Sequence, residues 1–417
     1  MTSKIRIHLC MPKGKIIKNG GLRLTSYNSY MFLLLLIWSR YFVLEYARAL
    51  MIKIPIVRMG SGWVIPLAFV ICTGFALKYI VRTMSKYDLI IFIALIFIYL
   101  VNIILFPQNE EYLLGRSSFL WFTSIPLYFI GVRLNADKEL NILKVVSMIN
   151  ICTRWIYTIF WGTGMSMTAS LYEGDMDSAY KILPHVCLVL LFTLKKPDVI
   201  NIVVSALGFL YVVSCGSRGA MLCMLIFIAV YLATFKEYKR PWIAYGVLTA
   251  LVVFIYNSIE AAISVLSEFA NKIGMSTRIF AKLANGEFLQ SSGRDTIRET
   301  LLKAIAEKPL LGYGIGGDHA LAGSYAHNIV IEFWVSFGVL IGTVLLLWLL
   351  FIIIDALRKV ANEDEKGLIL VFVCSCLMKL FLSGTYLGET YFFFMIGLCV
   401  GVTRRYRRAR NNRVMDM

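Results

Sequence analysis

Apolar runs about as long as a bilayer is thick recur along almost the whole chain, and few folds can accommodate that repetition. About twenty helical residues, each rising about 1.5 Å, cross a ~30 Å hydrocarbon core. Such runs lie at about 27–48, 63–81, 89–106, 119–134, 142–161, 182–194, 200–215, 221–235, 242–257, 328–354, 368–383 and 391–402. They predict an all-α polytopic membrane protein with about 12 transmembrane helices, because a span in lipid must satisfy its own backbone groups. Alternating barrel strands would not give continuous runs. Composition points the same way: of 417 residues 59% are hydrophobic and 16% charged, where soluble domains carry about one quarter charged residues.

The formal charge of +17 raises the question of nucleic acid, and the distribution answers it. Lys4, Arg6, Lys13, Lys15, Lys18 and Arg23 precede the first run, and Arg404, Arg405, Arg407, Arg408, Arg410 and Arg413 follow the last. Basic ends of this kind mark cytoplasmic tails and suit anionic headgroups better than DNA. The expected organisation is a basic cytoplasmic tail at 1–26, transmembrane helices 1–9 at 27–258, one large outer helical loop at 259–326, helices 10–12 at 327–403 and a second basic cytoplasmic tail at 404–417. The short connection holding Arg48, Lys53 and Arg58 runs against the charge bias; either the topology differs there or the loop faces something anionic. The nine cysteines lie mostly in apolar runs, without metal-ligand spacing to histidine, and read as small hydrophobes. No internal repeat of the kind an inverted-repeat transporter carries is visible.

The polar stretch from Ser291 to Asn328 is the expected functional segment, since loops on a rigid scaffold commonly carry function. A helix is predicted from Ser292 to before Pro309, with Arg294 and Arg298 four apart on one face, spaced to grip one anion together or to pair with Asp295 and Glu299. An interfacial amphipathic helix is predicted from Ile259 to Ile273. Gly312-Tyr313-Gly314-Ile315-Gly316-Gly317 satisfies a dinucleotide-binding spacing but follows a helix and a proline instead of a buried strand. Its Gly312 and Gly314 offer a tight backbone whose N–H groups could cradle an anion, or simply a turn.

His327 stands at the outer start of a run, as a general base or as the cap of the helix. Glu332, Arg154 and Lys379 are costly in lipid and are expected to contact substrate; otherwise Glu332 pairs with a neighbouring arginine, and Arg154 and Lys379 line a polar interior or snorkel to an interface. No paired carboxylates of the glycosidase type stand out.

Ser217-Arg218-Gly219-Ala220, Ser292-Gly293-Arg294, Lys308-Pro309-Leu310-Leu311-Gly312-Tyr313-Gly314 and Ala326-His327-Asn328 with Gly338 and Gly342 together resemble the bacterial O-antigen ligase and polymerase family. The resemblance covers about the second half of the chain. It implies an inverting, metal-independent glycosyltransferase without a cofactor, in the bacterial cytoplasmic membrane with its site on the outer face. Its donor would be a polyprenyl-diphosphate-linked oligosaccharide and its setting the lipid bilayer, with a chain-length regulator as a partner and no nucleic acid. Arg218 and Arg294 match the family's arginines and His327 its histidine; Arg298 and Arg58 are expected as further diphosphate contacts. Gly338 and Gly342 stand one residue wider than the family's usual pair, which favours a polymerase over a ligase. A flippase that moves lipid-linked sugar without chemistry is the reading from a different class.

Overall fold

The computed structural model describes residues 31, 34–35, 38–39, 84–115, 124–162, 174–215, 217–235, 246, 249 and 294–415. Among them the regular structure is helical, with no strand. The helices are α1 Lys86–Leu105, α2 Glu110–Leu114, α3 Ile125–Arg133, α4 Ala136–Gly162, α5 Gly174–Lys195, α6 Val199–Ser214, α7 Arg218–Thr234, α8 Arg294–Glu307, α9 Gly317–Ala322, α10 Ile329–Lys359, α11 Glu363–Phe372, α12 Met378–Leu382 and α13 Thr390–Met415. A π-helical turn, Val373–Leu377, joins α11 to α12.

Three described helices are long and apolar enough to cross a membrane: α1, Asp177–Lys195 within α5, and α10. The shorter apolar helices α6 and α7 fill the runs expected near 200–215 and 221–235. The span expected at about 63–81, the larger parts of those at 27–48 and 242–257, the amphipathic helix from Ile259 and Arg58 lie outside the described residues. Elsewhere the boundaries shift. The helix α10 reaches 31 residues, and α13 continues without a break into the basic tail.

Side-chain placement is that of a protein in lipid. Ile90, Phe97 and Ile104 of α1 are 61%, 66% and 76% exposed while Asp88 and Asn102 of the same helix are buried. The lipid-facing surface of a span is apolar and its polar residues turn inward to partners. The packing of α3 on α13 uses small residues: a Cβ on Gly397 would lie 2.0 Å from the Tyr128 carbonyl oxygen, and one on Gly401 2.3 Å from that of Val132. Glycines four apart let the two backbones approach closely enough for dispersion to hold them without a hydrophobic drive. The core between the helices gathers Trp38, Phe372, Tyr391 and Phe394. Two of its ring polar atoms are paired, Trp38 Nε1 donating to Ser147 Oγ at 2.8 Å and Tyr391 Oη to the Trp38 carbonyl at 2.9 Å.

The bundle has two chemically distinct ends. At one, Arg404 forks onto Asp88 at 2.7 and 2.5 Å, Lys195 pairs with Asp364, Lys359 with Asp355 and Arg405 with Glu365. The starts of α1, α4, α6 and α11 and the ends of α5, α7 and α10 lie there. At the other end meet the starts of α5, α7, α8 and α10, which brings together the polar segment singled out in the sequence.

Candidate functional site

Three elements converge on the last two residues of α12, Phe381 and Leu382. Arg294, the first residue of α8, donates from Nη1 to the Leu382 carbonyl at 2.7 Å. Gly219, the second residue of α7, lies so that a Cβ would sit 3.6 Å from Leu382 Cβ and 1.9 Å from the Tyr180 hydroxyl, so a larger residue would have to displace the tyrosine. Arg218 opens the same helix, capped by Ser217, whose Oγ accepts from Ala220 N at 3.4 Å. Asn328 donates from Nδ2 to the neighbouring Phe381 carbonyl at 3.3 Å. The arginines at the starts of α7 and α8 and the segment carrying His327 are thus gathered around one turn.

His327 is not the helix cap. That role falls to Asn328, whose Oδ1 accepts from Val330 N at 2.9 Å and Ile331 N at 3.3 Å. His327 instead holds φ +55°, left-handed backbone that a non-glycine residue adopts rarely and that clusters at functional sites. Its ring lies 4.0 Å from that of Tyr325, and its Nδ1 is buried without a hydrogen-bond partner among the described residues. Burial and then the nearby Arg294 charge pull its pKa down to about 4, so the imidazole is neutral and able to accept a proton.

The turn that presents His327 is held by a residue the sequence reading did not single out. Asp318, 1% exposed, accepts from Ala326 N at 2.9 Å and His319 N at 3.0 Å. Burial pushes its carboxyl up to about 6 against the lowering effect of those amides. Glu332, also buried, interacts electrostatically with Asp318 and accepts from Thr385 Oγ1 and from Tyr386 N at 3.3 Å. Asp318 in the loop and Glu332 in the span thus lie near each other; the sequence reading named Glu332 alone, although an acid directly after Gly316-Gly317 was a signal for the other.

Other expectations are placed differently. Three amides of the turn around Gly312 and Gly314 are taken by the protein itself: Gly312 N donates to the Lys308 carbonyl at 3.2 Å and Tyr313 N to that of Val335 at 2.7 Å, and Ile315 N donates to Asn102 Oδ1 at 2.7 Å. Its glycines serve close packing, since a Cβ on Gly314 would lie 2.5 Å from Phe106. Arg298 is exposed on α8, one turn from Arg294. Arg154 is buried and tied to Tyr211 at 2.7 Å and Ser178 at 2.5 Å. Lys379 is paired with Glu389 and lies 5.3 Å from the Tyr180 ring centroid. Among the described residues no three His, Cys, Asp or Glu side chains are grouped as a metal site would need.

This arrangement sets the Arg294 charge near a neutral imidazole. Residues 203–347, from within α6 to within α10, match the family model described as O-antigen ligase. The match includes Arg218, Arg294, Arg298, Gly312, Gly314, His327 and Glu332 and stops short of Arg154 and Lys379. No curated protein and no solved structure matches the chain.

Proposed function

The chain carries an O-antigen ligase family domain at residues 203–347, and from that premise we propose that it is a polysaccharide polymerase. It would transfer a glycan from a polyprenyl-diphosphate carrier to a lipid-linked repeat unit, on the outer face of the bacterial cytoplasmic membrane. The observation that carries the reading is the meeting of Arg294 and Asn328 on consecutive carbonyls, which sets an arginine beside the neutral His327.

In this reading His327 takes the proton of the acceptor hydroxyl as its oxygen bonds to the anomeric carbon. The anomeric C–O bond to the lipid diphosphate breaks, and the diphosphate leaves with the electron pair. Arg294 and Arg218 stabilise that growing negative charge, with Arg298 as an outer contact. Attack on the face opposite the leaving group inverts the anomeric centre. Asp318 holds the turn before His327 through the Ala326 amide, and Glu332 ties α10 to Thr385 and Tyr386.

A ligase that moves a finished glycan onto a lipid core or protein is the second reading, favoured by the description of the matching family. Purified protein incubated with a lipid-diphosphate-linked repeat unit decides between them. A glycan ladder on a gel supports the polymerase; a single transfer that requires an added lipid-core acceptor supports the ligase. Movement of lipid-linked sugar across vesicles with no transfer, unchanged in His327→Ala, would overturn both in favour of a flippase.

A further inference from the structure

The span α10 is not helical throughout. Gly338 has φ 77° and ψ 166°, so the helical ladder breaks there and releases backbone groups on both sides. Within lipid a released group is costly unless something pairs with it. The partner comes from outside the helix: Tyr313 N donates to the Val335 carbonyl and Val339 N to the Pro309 carbonyl, each at 2.7 Å. A Cβ on Gly338 would lie 2.1 Å from the Leu310 carbonyl oxygen. The turn after α8 therefore lies flat against residues 335–339 of α10.

Two spans give its depth. Asp355 is the first charged residue toward the far end of α10, and about twenty residues back from it, a full hydrocarbon crossing, lies Val335. The helix α1 supplies an independent mark. Its Asn102, one turn from the helix end at Leu105, exchanges hydrogen bonds with Ile315 at 2.7 and 3.3 Å, and Leu105 beyond it is 64% exposed. Both helices put the turn at the same edge of the apolar layer. There Leu310 and Leu311 are 69% and 75% exposed, continuous with Leu340 and Ile341, which follow the Val339 bond to Pro309.

We infer that the Pro309–Tyr313 turn is a membrane anchor, with Leu310 and Leu311 inserted among lipid acyl chains beside the kink of α10. Among the described residues these adjacent leucines at the tip of a turn are left largely uncovered. The lipid-facing surface of α10 runs directly into them, which names the occupant as the bilayer. On the transferase reading above, the anchor also sets the height of Arg294 and His327, between which it lies in the chain, at the level of a lipid headgroup. The anchor itself stands without that reading.

The test places an environment-sensitive fluorescent amino acid at position 311 of the full chain in phosphatidylcholine–phosphatidylglycerol vesicles. Val344 on the exposed face of α10 is the lipid reference, and Lys303 on the exposed face of α8 the aqueous one. Loss of fluorescence to lipids brominated on the acyl chain, matching that at 344, with protection from aqueous iodide, is the expected result. Iodide quenching like that at 303, with no response to brominated lipid, would overturn the anchor. Position 310 repeats the reading. Both leucines are exposed, so replacing either removes little internal packing, and neither arm depends on enzymatic activity.

Discussion

Arg294 and Asn328 donate to consecutive carbonyl oxygens, those of Leu382 and Phe381, at 2.7 and 3.3 Å. Two segments that are 34 positions apart in the chain are thereby fixed to one turn, and the guanidinium reaches His327 electrostatically. The consequences below follow from that junction and from the buried groups around it.

Arg294→Ala removes both the tie to Leu382 and the charge proposed to meet the leaving diphosphate. Transfer from a lipid-linked donor should fall by about 10²–10³-fold, the usual effect of losing one group that stabilises developing negative charge. Arg294→Lys should recover only part of it, since a point charge lacks the planar fork. Glycan product per unit time, normalised to protein in detergent, reads both.

His327 separates chemistry from backbone strain. His327→Ala should lower transfer by about 10²-fold or more. His327→Gly should be equally inactive yet melt at a higher temperature than the alanine variant, because φ +55° is free for glycine and costs alanine about 1 kcal/mol. Equal melting temperatures would show that the strain is relieved in solution.

Two titrations carry opposite signs. The folded His327 pKa of about 4 lies below the usual 6.5, so the unfolded chain binds the extra proton and this histidine's contribution to stability is lost as pH falls from about 6.5 to 4. Asp318 is raised from 3.8 to about 6, so the folded chain holds the proton and its contribution declines as pH rises through that window. Asp318→Asn should remove the second slope and leave the first, as read from melting temperatures across pH 4–7. On activity, a proton-accepting His327 predicts an acid limb below pH 6 instead of near 6.5.

The kink of α10 should tolerate nothing larger than glycine. Gly338→Ala meets both positive φ and a carbonyl 2.1 Å from the new Cβ, while Gly323→Ala meets positive φ with open space. The first should cost about 3 kcal/mol or more and the second about 1 kcal/mol. Thermal melting of the two purified variants gives the comparison.

Lys379 and Glu389 form a pair whose side chains are 14% and 6% exposed. Lys379→Ala strands a buried carboxylate and should destabilise by about 3–5 kcal/mol, whereas replacing both by apolar residues of similar volume should restore most of the loss. Single and double variants measured together isolate the pair from its packing.

Much of the architecture was legible because it depends on local quantities. The length of an apolar run sets whether a helix can cross lipid, so α1 and α10 stand where the runs predict. Pro309 ends α8 for a reason contained in its own ring, the missing N–H. Asn328 after His327 carries a capping side chain in plain view, although the sequence reading weighed the cap only as one of two roles for the histidine. The glycine segment reads in sequence as an anion cradle or a plain turn, and only space shows that the neighbouring amides of Tyr313 and Ile315 are taken by Val335 and Asn102.

The sequence by itself determined that this is a helical membrane protein and which polar segment, with Arg294 and His327, interrupts its spans. Run length, charge distribution and residue type act within a few turns of chain and need no partner to be read. Only the tertiary structure decided what those residues meet: Arg294 finds a carbonyl 88 positions away and Asn328 one 53 positions away, while Asp318 comes to lie near Glu332. Contacts over such separations are set by how helices pack, and helix packing in lipid rests on shape, small residues and satisfied backbone groups. Small residues four apart leave a local mark, as at Gly397 and Gly401, but shape and the pairing of backbone groups do not.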